Sequence, residues 1–303
     1  EACLKGCHLQ RANLDGANLS GAYLSKANLS QATLIGARLI NAQLSQVIFD
    51  HANLSKANLS GAKLIRSQMR DAKLISANLT RADLSKADLV GINLQHANLQ
   101  HAILGKAVLQ RANLEQANLQ YAILERANLG GSTLRGANLQ YAKLNLALLR
   151  GVNLMAGDLS QTQLVACTFR GAKLQAANLF RANLNEADLI RANLIGANLR
   201  EATLKGAKLN NAVMKRANLD EADLSPNKDK ITELICDKLF EASLRNTNLS
   251  HVVARRTNFN SSNLSKADLS YSILLNTSFA GANLDSSNLL KADLGGAILT
   301  GAS

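Results

Sequence analysis

The chain has no tryptophan, one proline, three methionines and four cysteines among 303 residues, and aromatic residues make up only 3% of it. A core of large rings is excluded, and so is a dense disulfide framework. A polar residue intervenes every second or third place, so no stretch reaches the roughly 18 uninterrupted apolar residues of a membrane helix. The signatures of catalysis are missing as well: there is no glycine-rich phosphate loop, no nucleophile elbow and no pair of inward-facing acids. His96 and His101 stand five residues apart with no thiol or carboxylate cluster to complete a metal site. The expectation is a chain that is not an enzyme and holds neither cofactor nor metal.

What is present is a leucine every five residues. Of the 60 positions spaced by five from Leu4 to Leu299, 52 are Leu, four are Phe (Phe49, Phe169, Phe259, Phe279), two are Met (Met69, Met214), and only Asp229 and Ala254 depart. Two residues before nearly every one sits Ala, Ser, Thr, Val or Cys. Period five fits neither a strand, which repeats at 2, nor a helix, which repeats at 3.6. Each quintet must therefore be a short extended step followed by a corner, with the leucine and the small residue both turned inward. If four quintets close one lap, residue i lies beneath residue i+20, and about 15 coils spaced by 4.8 Å build a rod roughly 70 Å long. Glycine is frequent two residues after the leucine, yet Lys, Arg, Gln, His and Tyr also occur there. The corner is thus not expected to demand φ > 0.

The run Ala12-Asn13-Leu14-Asp15-Gly16-Ala17-Asn18-Leu19 and its many copies resemble the pentapeptide-repeat family. The resemblance implies an all-β fold, a right-handed quadrilateral parallel β-helix over residues 1–303 as one domain, and the regular Ala-Asn/Asp-Leu form is most similar to cyanobacterial members. It implies no biochemical activity, because function is not carried by this motif. Some members bind type II topoisomerase (DNA gyrase) as mimics of duplex DNA, which gives an alternative reading. Such a mimic needs an acidic surface, and the net charge here is +12.

That charge is uneven: residues 1–150 carry 17 Lys/Arg against 8 Asp/Glu, and residues 151–303 carry 17 against 14. It favours an acidic protein partner of unknown identity. Nucleic acid or another acidic surface is a second alternative, weakened by the lack of aromatic platforms and by dilution of the basic residues with acids. Cys7 and Cys167 occupy the small inward slot and read as reduced core thiols; Cys3 with Cys7 is the one pairing left open. Nothing directs export, so the cytoplasm is the expected compartment, with the periplasm and thylakoid lumen as alternatives from the family. Both termini are in frame, which suggests a segment excised from a longer chain or a coil that associates end to end.

Candidate sites lie where the repeat breaks or its outward residues are unusual. Ser225-Pro226-Asn227-Lys228-Asp229-Lys230-Ile231 holds the single proline and puts Asp229 where Leu belongs, so the chain should leave the coil there as a loop. Residues 225–240 then read as a loop with a degenerate coil. A short amphipathic helix is the rival, because Ile231, Leu234, Ile235, Lys238 and Leu239 also fit helical spacing. His251-Val252-Val253-Ala254-Arg255-Arg256 reads as a poorly matched coil. Stacking at i+20 lines up Lys26, Arg66, Lys86, Lys106 and Arg126 at one corner, the last four as a basic ridge on successive coils. His101, Tyr121 and Tyr141 share the next corner with Arg81, Gln161 and Arg181. Ile103 and Ile123 lie between the two, and Leu146 and Leu148 with Val108 should continue the apolar surface around the corner. A patch of Tyr, Ile, Val and Leu rimmed by Lys and Arg has the composition of a protein-binding surface.

Overall fold

The computed structural model describes residues 3–235 and 238–303. It divides into two compact units, Glu1–Leu148 and Leu149–Ser303. Each is a right-handed quadrilateral β-helix in which parallel bridges join outward residues of successive coils, as in Cys3 to Tyr23 or Asn153 to Lys173. Four quintets do close a lap, so vertical neighbours are 20 apart. No helix among the described residues is long and apolar enough to cross a membrane.

A quintet with Asn or Asp in its outward slot satisfies every one of its backbone donors, which explains why those residue types recur. The leucine N–H donates to the outward residue of the coil above (Leu14 to the Thr33 carbonyl, 2.8 Å), and the outward residue's N–H donates to the coil below (Thr33 to Ala12, 3.0 Å). The small inward residue closes the corner by donating to the leucine carbonyl three residues earlier, as Ala17 does to Leu14 at 3.0 Å. The second corner residue donates upward, Gly16 to Ile35 at 2.9 Å. The first corner N–H remains, and the Asn or Asp before the leucine accepts it: Asp15 donates to Asn13 Oδ1 at 3.0 Å and Ser30 to Asn28 Oδ1 at 3.0 Å. This local Asx cap is why Asn or Asp fills the outward slot so often.

Where the outward residue is not Asn or Asp, the coil below can supply the acceptor. Asp15 caps Ile35 at 2.8 Å, Asp50 caps Arg70 at 2.8 Å, and Asn185 caps Lys205 at 3.0 Å. The same amide is thus held from either of two directions.

The corner corrects one expectation. The second corner residue is left-handed at every described corner of regular quintets, with φ between +53° and +69°, whether it is Gly16, Lys26, Tyr121 or Leu146. Together with the turn hydrogen bond this is the φ signature of a type II turn, which needs φ > 0 at its third residue. Non-glycine residues accept it at a cost of roughly 1–2 kcal/mol each, offset by the turn and ladder hydrogen bonds that the conformation completes. No Val, Ile or Thr occupies any of these left-handed positions. A β-branched side chain tolerates that conformation worst, and Ile231, which falls in the same frame position after the hairpin, is not left-handed.

The core is uniform. Leucines and the small inward residues from Ala22 through Ala282 are almost all fully buried, Cys167 among them. Each buried leucine contributes roughly 1.5–3 kcal/mol. Where Ser or Thr replaces the small residue, its hydroxyl can reach a carbonyl, as Ser132 donates to Leu129 at 2.7 Å and Thr162 to Leu159 at 2.6 Å, whereas the buried Ser67 hydroxyl has no partner among the described residues. Ala254 is fully buried in a leucine slot, and the next quintet of its coil carries Phe259, stacked on Phe279 at 5.2 Å. Cys3 and Cys7 are free thiols and are not paired with each other. Cys236 lies outside the described residues.

The segment after Leu224 forms neither a helix nor a degenerate coil in its described part. Bridges that had joined residues 20 apart join residues 25 apart from Lys208–Glu233 through Asp223–Asn248, then return to 20 at Glu233–Val253. One whole quintet has left the lap. It folds as a two-residue hairpin in which Asn227 and Lys230 exchange backbone hydrogen bonds of 2.9 and 3.0 Å, with Lys228 at φ 53°. The coil itself stays intact, with Thr232 and Leu234 fully buried. Asp229 therefore sits at the hairpin tip and never competes for the leucine slot. The five-residue frame survives because the insertion is itself five residues long.

Candidate functional site

In the first unit, the corner conformation aims side chains outward and the coil rise sets their separation. His101, Tyr121 and Tyr141 occupy left-handed corners at φ 58°, 60° and 61°. Their rings form a ladder: His101 stacks on Tyr121 at 5.0 Å and 5°, and Tyr121 on Tyr141 at 4.9 Å and 3°. Tyr121 remains 46% exposed, yet both of its faces are covered, so what it offers a partner is its edge and hydroxyl. Beside the ladder, Gln100, Gln120 and Gln140 pass side-chain amide hydrogen bonds of 2.8 Å from coil to coil.

Ile103 and Ile123 are bridged neighbours on the adjoining face, the former 37% exposed and the latter half-buried. Leu146 and Leu148 are 47% and 48% exposed around the next corner. The apolar surface is less continuous than the sequence suggested. Asn128 intervenes between half-buried Val108 and Leu148 in their column, and Lys143 follows Ile123 in its own. Val108 therefore does not extend the patch.

Arg66, Lys86, Lys106 and Arg126 are exposed second corner residues at φ 57–59° on successive coils. Among the described residues, none of the four has a carboxylate within ion-pair distance. Arg70 shows the contrast: it pairs with Asp88 at 2.7 Å, and that hydrogen bond, followed by the charge of Asp88, raises its pKa. The ridge and the patch meet in a recess of about 470 Å³, where Lys86, Lys106 and Arg126 surround Ile123 and Leu146. Glu125 contributes one carboxylate to the same lining.

Pro226, Lys228, Asp229 and Lys230 lie in the second unit and are held down. Glu186 accepts from Asn227 Nδ2 at 2.6 Å and from the Lys230 ammonium. The hydrogen bond from Lys230 is the main reason that the Glu186 carboxyl titrates below its ordinary value. Gly206, at φ 67°, passes directly beneath the hairpin, where a Cβ would lie 2.9 Å from Lys230 Cβ. The hairpin walls an open recess of about 800 Å³ that Ile231, Val253, Tyr271 and Ile273 also line. His251 stacks on Tyr271 at 4.9 Å and 4°, with the Lys291 ammonium over the Tyr271 ring at 5.3 Å. The sequence reading missed this second ladder, although the spacing of 20 between two ring-bearing corner residues announces it. Across the shifted register Asp220 accepts from Ser243 Oγ at 2.5 Å, the Arg245 amide at 2.9 Å, and the Arg245 guanidinium at 2.6 and 2.9 Å.

No group of three or more His, Cys, Asp or Glu among the described residues could hold a metal ion. The repeat profile described as "Pentapeptide repeats (8 copies)" matches in overlapping blocks that cover residues 2–225 and 238–301. The chain belongs to the pentapeptide-repeat family. The internal residues of this pentapeptide-repeat protein that the profile leaves unmatched, 226–237, begin with the hairpin quintet that leaves the coil. No match emerges among curated proteins.

Similar solved structures include HetL, a pentapeptide repeat protein involved in heterocyst differentiation regulation from the cyanobacterium Nostoc sp. strain PCC 7120. It is 27% identical, with 83% of this chain and 89% of that chain covered and a TM-score of 0.24. A pentapeptide repeat protein from the Arabidopsis thaliana thylakoid lumen is 28% identical over 34% of this chain and 69% of that one, at a TM-score of 0.26. QnrB1, a plasmid-mediated fluoroquinolone resistance protein, is 20% identical over 58% and 90%, at a TM-score of 0.41. None of these scores reaches 0.5, and the family assignment rests on the repeat match.

Proposed function

We propose that this pentapeptide-repeat protein is a non-enzymatic scaffold that docks a protein partner bearing acidic side chains on the first unit. The observation that carries this reading is the recess where Ile123 and Leu146 adjoin three cations without ion-pair partners, Lys86, Lys106 and Arg126. Exposed apolar area rimmed by uncompensated charge of one sign supplies both contact and steering toward a partner of opposite charge. The stacked ladder beside it adds rigid tyrosine edges and hydroxyls at low entropic cost.

Two other readings find less support. A single-stranded nucleic acid stacks its bases on free aromatic faces, whereas both faces of Tyr121 are occupied by its neighbours. A mimic of duplex DNA presents rows of carboxylates, and this ridge presents Arg and Lys. The test is Tyr121→Asn with Ile123→Ser, which alters outward residues only. The far-ultraviolet circular dichroism should stay unchanged while the partner recovered by affinity capture from the source cell, identified by mass spectrometry, is lost. Recovery of the same partner in the same amount by the double variant refutes the proposal.

A further inference from the structure

Two residues that line the recess have peptide N–H groups with no acceptor among the described residues: Gly105 and Glu125, first corner residues of successive coils. The reason is visible in the sequence of the corner. Where the outward residue is Asn or Asp it caps the amide two residues after it, as Asn98 caps Gln100 and Asn118 caps Gln120, both at 3.1 Å. Here the outward residues are Ile103 and Ile123, which have no acceptor to give.

The coil below offers no substitute. Beneath Gly105 lies Ser85, whose hydroxyl turns to donate to Asp83 Oδ1 at 2.5 Å and does not accept from the Gly105 amide. Beneath Glu125 lies Gly105, which has no side chain. Uncapped amides occur at other corners too; these two are set apart by sharing one recess with Lys86, Lys106 and Arg126.

The protein itself shows what such an amide accepts. At Ile35, Arg70 and Arg245 the cap is a carboxylate reaching from another coil, Asp15, Asp50 and Asp220, at 2.8 to 2.9 Å. At Arg245 the same carboxylate also binds a guanidinium. A carboxylate approaching Gly105 or Glu125 from outside would meet a peptide N–H and a neighbouring Lys or Arg, the same pair of donors. A charge-assisted hydrogen bond of this kind is stronger than one between neutral groups and fixes register as well as charge.

We infer that the Gly105 and Glu125 amides are the specific docking points for aspartate or glutamate side chains of the partner, which complete in trans the Asx caps that Ile103 and Ile123 leave unmade. The inference rests on the docking surface proposed above and deepens it. It names an acidic protein segment with apolar residues between its acids as the occupant. The acids cap the two amides, and the apolar side chains lie against Ile123 and Leu146. The Glu125 carboxylate at the rim is outnumbered by three cations, so the recess stays attractive to acids.

Asparagine and glutamine separate amide capping from loss of apolar surface. Asn in the outward slot caps the corner, as in the neighbouring quintets, whereas Gln43 and Gln68 in that slot do not: Gln43 turns to the Asn41 carbonyl at 3.2 Å, and the Arg70 amide near Gln68 is capped by Asp50 instead. The probe is a fluorescein-labelled eight-residue peptide alternating aspartate and leucine, measured by fluorescence anisotropy and by amide spectra of the full chain. Wild type should bind, with the Gly105 and Glu125 amide resonances moving downfield. Ile103→Gln with Ile123→Gln should bind more weakly, and Ile103→Asn with Ile123→Asn about tenfold more weakly again, with those resonances no longer responding.

Equal affinity of the Asn and Gln pairs, both below wild type, with still amide resonances overturns the capping inference and leaves the docking surface standing. Binding by both pairs equal to wild type overturns the two together. Absence of peptide binding by wild type also overturns the capping inference.

Discussion

Replacing Asp220 tests the register of the second unit, because its partners lie 23 and 25 residues away and meet it only if one quintet has left the lap. Its side chain is 5% exposed and accepts four hydrogen bonds, whereas the Arg245 side chain is 57% exposed. In Asp220→Ala the Arg245 guanidinium turns to water at little cost. The Arg245 amide and the Ser243 hydroxyl lose their acceptor, and together these cost about 2–4 kcal/mol. Asp220→Asn keeps one oxygen for the amide and the hydroxyl and should cost about half as much.

Acidity provides a second axis for the same residue. Burial pushes the Asp220 carboxyl up, but hydrogen bonds from Arg245, Ser243 and the Arg245 amide more than offset it, so the group titrates below its ordinary 3.8. The unfolded chain therefore binds the proton first. The contribution of Asp220 is complete above that ordinary value and is lost as pH falls through the lower folded one. Urea unfolding should show the Asp220→Ala deficit in full at pH 6 and shrinking below pH 4. Repeat arrays need not unfold in one step, so amide exchange at Leu224 and Leu244 serves as the local readout. A deficit under about 0.5 kcal/mol at pH 6, or additivity of Asp220→Ala and Arg245→Ala within that margin, would refute the assignment of Arg245 as its vertical neighbour.

Other outcomes follow from the same geometry. Glu186→Ala removes both side-chain acceptors that hold the hairpin, so trypsin should cleave at Lys228 or Lys230 several-fold faster while urea unfolding of the coils shifts by less than about 1 kcal/mol; unchanged cleavage would show that the latch is idle. Gly206→Ala places a Cβ against Lys230 and should lower stability by about 1–3 kcal/mol, more than Gly16→Ala, where nothing lies within 4 Å of the added carbon. At the exposed corner residue Gln46, φ 60°, Gln46→Gly should stabilise by up to about 1 kcal/mol and Gln46→Ile should destabilise; the reverse order in urea would mean that the left-handed corner carries no strain.

Some of this was written in the residues themselves. The leucine frame and the small residue two places earlier state which side chains go inward, because a fixed spacing on an extended step repeats the same face whatever surrounds it. The Asn or Asp before the leucine states how the corner is capped, since that contact spans only two residues. The left-handed corner was nearly as legible in the scarcity of Val, Ile and Thr at its second position, where Ile231 after the hairpin is the exception, a signal easily overlooked beside the Lys and Tyr that do occur there. The stacking of Tyr121 between His101 and Tyr141 followed once a lap of 20 was assumed.

Tertiary structure decided the lap itself, because a period of five is compatible with any number of corners and only chain closure selects four. It also decided that residues 226–230 step out of the coil, so that Lys208 faces Glu233 and not Lys228. The leucine frame is blind to an insertion whose length equals the repeat. From that closure follow the contacts no local pattern contains: Glu186 on Asn227 and Lys230, Asp220 on Arg245, and two amides left uncapped among cations at Gly105 and Glu125. Each depends on which coil lies above which, and that is a property of the assembled stack.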